Sequence, residues 1–334
     1  MLRITATAAM TLSLLLAGCN QTKTADDQGA EASQSAAEAA ACDRDCLLKA
    51  TDQYLAALVA HDPKAAPMAE NVAFVENVKR IQPGEGLWKS ISAGPTDFKI
   101  AVPDVDQQQV GWLGVIQRDS KPTMLAMRLK FEDGKITEAE HLLTEPARGQ
   151  MEHLGTPRPG LLATVPEAER LPHDKLIAIG ATYYDALDDN DGSKMTFAAD
   201  CQRRENGITT AGEGAMRAPN VGATAAAVAR DCKGQLDSQS FVYIDRIENR
   251  RMIAADPVTG LSMGLSHFRH PMDNLPYKVI HVDGSTSERN KTNMPYEPFD
   301  MPAAHIFKID SEGAVHEIEA LGFKAPYNSP TGWE

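Results

Sequence analysis

The chain has no His-Glu-x-x-His pair and no dinucleotide-binding glycine fingerprint, and its Gly-x-Ser-x-Gly string, Gly260–Gly264, falls in a run that reads as a strand and not at a strand-to-helix elbow. The usual sequence marks of zinc proteases and nicotinamide enzymes are therefore missing, and that of serine hydrolases lacks its context. Gly-Glu-Gly occurs twice, at 84–86 and 212–214. Neither copy is followed directly by Lys-Ser/Thr, Lys89-Ser90 coming two residues too late for a P-loop, and an acid sits where an anion would bind, so a phosphate cradle is not expected. Positive charge is short: 33 Lys and Arg face 46 Asp and Glu, a net charge of −13 with no basic cluster. Nucleic-acid affinity comes mainly from neutralising phosphates, so nucleic acid is not an expected partner. Cys42-x3-Cys46 has no matching Cys or His pair nearby, which argues against a metal site. No cofactor is expected. Beyond the first residues no segment is apolar enough to cross a bilayer.

Those first residues carry an address. One early charge, Arg3, precedes an apolar run that ends Leu16-Ala17-Gly18-Cys19. The run is too short for a stable span and reads as an export signal over 1–19. Its last four residues resemble a bacterial lipobox, which implies cleavage before Cys19 and lipid on that residue. Asn20, where Asp would mark retention, implies the outer membrane, on its periplasmic face. Residues 20–41 contain no aromatic and are rich in Gln, Ser, Asp and Ala. They cannot bury enough apolar surface to offset ordering, and read as a disordered tether. With Cys19 lipidated, four cysteines remain in an oxidising compartment. Of the three pairings, Cys42–Cys46 with Cys201–Cys232 is favoured.

What the chain does have is a repeat. Tyr54, Leu58, Asp62, Ala69, Glu76 and Asn77 recur in order as Tyr183, Leu187, Asp191, Ala198, Glu205 and Asn206. Gly-Glu-Gly follows both, and Gly134…Glu138-Ala-Glu140 recurs as Gly313…Glu317-Ile-Glu319. The chain reads as two copies of one α+β unit, a first domain at 42–145 and a second at 173–334. Pro- and Gly-rich residues 146–172 form the linker.

Each copy has the same expected order. In the first, a helix capped by Asp45 carries Leu47, Tyr54 and Leu58 on one face. A short helix (63–70), a strand (72–76), a helix after Gly86 and strands at 98–102, 110–117, 123–131 and 135–143 follow, the last two joined at Asp133-Gly134. In the second, the spacing predicts a helix carrying Leu176, Tyr183 and Leu187, a helix at 223–230, and strands at 201–205, 241–247, 251–256, 261–269, 305–309 and 315–321. The second copy is longer mainly through 271–302, a proline-rich segment with Tyr277, Tyr296 and Phe299. It reads as a lid.

The run from Cys46 to Pro63, with Phe74-Val-Glu76-Asn77 and Gly84-Glu-Gly-Leu-Trp88, resembles the SnoaL-like branch of the nuclear transport factor 2 (NTF2) superfamily. The resemblance covers about 44–143 well and 173–325 through the repeat. It implies an α+β fold: in each copy, a curved antiparallel sheet packed on helices around a cone open at one end. Members include cofactor-independent isomerases, cyclases and lyases, some exported members acting on lignin-derived aromatics, and also non-catalytic binding modules. Fold alone transfers none of these activities, and no family acid–base pair maps onto this sequence.

The repeat suggests which copy holds a site. Val72, Phe74 and Glu76 of the first become Cys201, Arg203 and Glu205 in the second. A guanidinium placed where the fold buries side chains needs an acid or a ligand. Arg203 and Glu205 at alternate strand positions can pair; an internal ion pair accounts for this as well as a ligand site does. His267 and Arg269 share a strand face with Met263 and Leu265, so His267 is a candidate general acid or base and Arg269 a candidate anion binder. His305 and Tyr183 are weaker substrate-binding candidates, Tyr183 being matched by Tyr54. The expectation is a lipid-anchored envelope protein whose second cone binds a small apolar, aromatic molecule. Catalysis there would be lyase or isomerase chemistry, with His267 and Glu205 as the working groups. The rival is a non-catalytic binding or assembly module, and homo-oligomerisation is left open.

Overall fold

The computed structural model describes residues 41–147, 150–215 and 231–334. The expected signal peptide, Cys19, the tether and the helix at 223–230 lie outside the described residues.

The first half begins with α1 (Arg44–Val59). Asp43, not Asp45, is its N-cap, its carboxylate accepting from the Cys46 amide. Cys42 and Cys46 are disulfide-bonded across this helix start. There follow β1 (Met68–Glu76), β2 (Lys79–Ile81), α2 (Leu87–Ser90), β3 (Ile91–Ala93), β4 (Lys99–Asp104), β5 (Gln109–Arg118), β6 (Lys121–Glu132) and β7 (Lys135–Thr144). The expected helix at 63–70 shrinks to a single 3₁₀ turn, Pro63–Ala65. The chain is pulled into β1 from Met68 because Met68 pairs with Ile136 of β7. The sheet runs β2-β1-β7-β6-β5-β3, with β4 also on β5. The β1–β7 pair is parallel and the other pairs are antiparallel.

The second half repeats this order. After α3 (Pro159–Leu162) come α4 (His173–Asp188), β8 (Phe197–Glu205), β9 (Ile208–Ala211), α5 (Cys232–Asp237), β10 (Arg246–Asp256) and β11 (Leu261–His270). Next are β12 (Tyr277–Ile280), β13 (Thr286–Arg289), β14 (Phe299–Ile309), β15 (Val315–Gly322) and β16 (Ala325–Pro326). The sheet order is β10-β11-β14-β15-β8-β9, again with one parallel pair, β15–β8. The expected strands at 241–247 and 251–256 are one strand that starts at Arg246, residues 241–243 forming a turn. The 271–302 insertion is not structureless: β12 and β13 pair as a separate hairpin, and its last residues open β14.

Several repeated residues have purely structural work. Asn77 and Asn206 both lie at positive φ, and each clasps the backbone of the parallel neighbour strand, Asn77 at Leu143 and Asn206 at Gly322. Asp62 and Asp191 each cap a 3₁₀ turn. These contacts explain why duplication shows at those positions.

Each sheet buries one face against its helices and the other against the opposite sheet. Tyr54, Phe74, Trp88, Trp112 and Met127 fill the helix side of the first. Between the sheets, Leu113, Val115, Met124 and Ala126 meet Met263, Leu265, Ala304 and Ile306 in one cluster. Every residue of β11 is consequently buried. Residues expected to form a free linker are drawn into this layer: Leu154 and Leu161 are buried in it. Charges at its margin are paired. Glu140 accepts from Arg128 of its own sheet and, through both oxygens, from Arg251 of the other. Among the described residues no helix is long and apolar enough to cross a membrane.

Candidate functional site

Registering the sheets strand by strand extends the comparison beyond the sequence repeat. His141 pairs with Glu76 and Met127; Ala320 pairs with Glu205 and His305. Trp112 pairs with Met127, and Gly264 with His305. On the helix side, Phe74, Trp112, Met127 and His141 of the first sheet therefore become Arg203, Gly264, His305 and Ala320 in the second. Two large side chains have shrunk or gone, and a charged and a titratable group have entered.

Arg203, His305 and Ala320 line a cavity of about 50 Å³ between α4, the sheet and the turn before β10, whereas the space over Gly264 is taken by Tyr184 and Met252. Arg203, Glu205, His270 and His305 supply its polar lining; Phe241, Tyr243, Phe268 and Met301 are among the apolar walls. That is room for a few waters, well below the roughly 150 Å³ that takes up benzene.

Arg203 is fixed at three points: Nε donates to Tyr183 Oη at 2.8 Å, Nη1 to Thr210 Oγ1 at 2.7 Å and Nη2 to Glu205 Oε2 at 2.5 Å. Burial opposes its charge, but Tyr183 and Glu205 outweigh that and hold its pKa above the ordinary value. Because Tyr183 accepts from Arg203, its own proton is left to donate elsewhere. The first half uses the same tyrosine differently: Tyr54 Oη lies 3.0 Å from His141 Nε2, and Glu76 accepts from the Leu87 amide at the start of α2.

The two histidines of the cavity are held neutral. Burial pushes His270 down to about 4, and burial with the Arg203 charge pushes His305 well below the usual imidazole value. Each has a buried Nδ1 without a hydrogen-bond partner. Such orphaned polar atoms are uncommon in folded interiors, and two of them border one small cavity.

His267 and Arg269 are elsewhere, which corrects the expectation that they converge with Arg203. They do share a face with Met263 and Leu265, but that face turns away from the helices. His267 Nε2 meets Ser329 Oγ at 3.1 Å, and Arg269 donates to Glu248, Asp300 and the Ser329 carbonyl. Asp300 also accepts from Ser329 Oγ at 3.0 Å, so the acid holds the hydroxyl and not the histidine's other nitrogen. A nucleophilic serine needs the reverse order, with the acid orienting the base. This knot fastens the chain's end, which continues onto the first half: Trp333 lies against the Arg80 and Arg128 guanidiniums, 5.5 and 5.0 Å from the ring centre.

The expected lid does adjoin the cavity. Met272, Met294 and Phe299 cluster with Tyr243 and Met301, which also line it, and Phe299 stacks on His270 at 4.2 Å. His270 and Tyr243 were not among the sequence candidates. The register of β11 on β14 places His270 against Phe299, and the turn before β10 brings in Tyr243. No group of three or more His, Cys, Asp or Glu among the described residues could hold a metal ion.

A pH prediction follows from the buried imidazoles. His267 is also pushed to about 4, by burial and then by Arg269. In the unfolded chain these groups titrate near 6.5. Between about 6.5 and 4 the unfolded state therefore binds more protons, and stability falls as pH falls. Glu319 acts in the opposite sense over about 4.5 to 7, because burial raises its pKa to about 7. Glu317 and His316, whose pKa values are also raised, act in the same sense as Glu319; the three strongly lowered histidines set the net direction, so the urea midpoint should drop from pH 6.5 to 4.5, and more steeply in Glu319→Gln. A flat midpoint over that range would show that the imidazoles are not held neutral.

A model of a domain of unknown function (DUF8021) matches residues 169–322, which is most of the second half. No curated protein matches the chain. Among solved structures, a putative isomerase from Bacillus subtilis is 14% identical, with a TM-score of 0.25 over 34% of this chain and 95% of its own. A putative ketosteroid isomerase from Kribbella flavida is 16% identical, with a TM-score of 0.25 over 36% and 95%. A putative polyketide cyclase from Silicibacter is 12% identical, with a TM-score of 0.27 over 46% and 91%.

Proposed function

We propose that the chain is a tandem pair of NTF2-like domains, lipid-anchored through Cys19 in the cell envelope, whose second domain binds a small, apolar aromatic molecule. The observation that carries this reading is the exchange of Phe74, Met127 and His141 for Arg203, His305 and Ala320 around a cavity with unpartnered buried nitrogens. In this reading the first domain is the scaffold, packed solid on its helix side, and the second carries the pocket. Arg203 and the neutral His270 and His305 would bind oxygen atoms of the ligand, and the aromatic walls its ring.

A ring needs more space than the present cavity has, so the Met272, Met294 and Met301 side chains and the 271–302 roof must shift to admit it. Methionine suits such a wall because it repacks at little cost. Should the bound molecule be turned over, the groups at hand are those of proton transfer without a cofactor. Glu205 is the carboxylate available as base, since Arg203 engages one of its oxygens, and Arg203 faces developing negative charge.

The test is a thermal-shift screen of the full-length chain with small aromatic and lignin-type compounds. A ligand at about 100 times its Kd adds about 2.7 kcal/mol of stability, a readily measured rise in melting temperature. Arg203→Met, which returns that position to an apolar residue, should abolish the rise while leaving a folded protein. If no compound stabilises the chain, or the variant responds like the parent, the pocket assignment fails.

A further inference from the structure

A second cavity lies on the opposite side of the second sheet, away from the helices. It measures about 520 Å³ and is walled by the segment joining the two halves and by β8, β14 and β15. That volume falls within the roughly 300–1,000 Å³ of small-molecule sites. It is separate from the Arg203 cavity and does not depend on the reading given to it.

Two charged residues on its floor are out of the ordinary. Lys308 of β14 and Glu317 of β15 are direct cross-strand partners. Opposite charges in that register normally close on each other. Here no ion pair joins them. Lys308 Nζ instead donates to the carbonyls of Ala163 at 2.9 Å and Thr259 at 2.5 Å, and meets no carboxylate. Glu317 is drawn the other way, Oε2 lying 3.3 Å from Arg158 Nε. Its Oε1 presses on Gly160, where a Cβ would come within 2.1 Å. Burial pushes the Lys308 pKa down and the Glu317 pKa up, each towards its neutral form.

The other charged groups divide similarly. Arg158 is spent on Gln202, Ile318 and Glu319 as well as Glu317. His316 is bracketed by Asp200 at 2.7 Å and Asp310 at 3.0 Å. Glu169 and Glu213 line the cavity with no side-chain partner among the described contacts. Among the described residues Lys308 is thus left to receive a carboxylate, and Glu169 and Glu213, which line the same cavity, to receive an amine, while Glu317 already holds Arg158.

We propose that this cleft binds a small zwitterion of the amino-acid or dipeptide class, its carboxylate on Lys308 and its ammonium on the rim acids Glu169 and Glu213. The ligand supplies Lys308 with the carboxylate that Glu317, drawn to Arg158, does not. An anion alone would meet the surplus of acids, and a cation alone would leave Lys308 without a partner.

Calorimetric titration of the full-length chain with alanyl-alanine, its N-acetyl form, its C-terminal amide and spermidine tests this. The free dipeptide should bind, and blocking either end should weaken it by about tenfold or more, the size of one lost charged hydrogen bond. Lys308→Met should weaken the free dipeptide to the level of the amide and leave the amide unchanged. If that variant does not fold, the double variant Glu169→Gln/Glu213→Gln, at two exposed positions, should instead remove the advantage of the free amine. Binding should also be indifferent to a saturating aromatic ligand of the Arg203 cavity, where one has been identified. Equal binding of free and blocked dipeptides, preference for spermidine, competition with the aromatic ligand, or no heat from any probe would each overturn the proposal.

Discussion

Glu140→Ala is expected to cost about 1.5–3 kcal/mol of stability, because it removes the charged hydrogen bonds by which Arg251 and Arg128 share one buried acid across the two sheets. Glu140 and Arg128 are each only 6% exposed at the side chain, and Arg251 reaches Glu140 from the other sheet with two bonds of 2.9 and 2.8 Å. Removing the carboxylate unties Arg251 and takes one of three partners from Arg128, which keeps Glu138 and Gln109. Chemical denaturation measures the loss directly. Glu140→Gln separates charge from shape: it keeps the volume but meets two guanidiniums with an amide, and should fall between the parent and the alanine variant. Triple replacement of Glu140, Arg128 and Arg251 by apolar residues should recover most of the lost stability, since the desolvation cost leaves with the charges. A parent-like midpoint for Glu140→Ala would mean that water reaches these arginines freely.

The second large effect is expected on losing the Cys201–Cys232 bridge. It joins residues 31 apart, tying β8 to α5. Closing a loop of that length restricts the unfolded chain by about 3–4 kcal/mol on the loop-entropy account. Both sulfur-bearing residues are buried with Ala211, so the change to serine adds a packing loss. The double variant Cys201→Ser/Cys232→Ser should shift the denaturation midpoint strongly. Removing Cys42–Cys46, with a separation of only 4, should matter much less. Equal effects of the two would show that loop length is not what the bridges act through. Because β8 also carries Arg203 and Glu205, loosening it should weaken ligand binding in the Arg203 cavity before the fold is lost.

Much of the architecture was legible in the residues. The repeat could be read because the matching Tyr, Asp, Glu and Asn do the same local work twice, in caps and strand clasps whose geometry depends on neighbours in sequence. The α4 face, the hairpin at Asp133-Gly134 and most strands of the first sheet could be read from spacing alone. The pairing of Arg203 with Glu205 was legible for the same reason, since alternate residues of a strand share a face.

The side of the sheet was not legible. The alternation that put His267 and Arg269 with Met263 and Leu265 is correct, but β11 is buried throughout. A strand covered on both faces has no polar side to mark which face meets the helices and which meets a second sheet. Sequence therefore set the partition of residues into two faces, and only the packing of one sheet on the other assigned those faces. The exchange of Trp112 for Gly264 likewise escaped notice, because it is defined by register across three strands and the 271–302 insertion breaks the alignment of the copies. Local chemistry is written along the chain; whether a polar side chain ends in a cavity, in an ion pair between sheets or in the clasp of the C-terminus depends on contacts hundreds of residues apart, which the tertiary structure alone brings together.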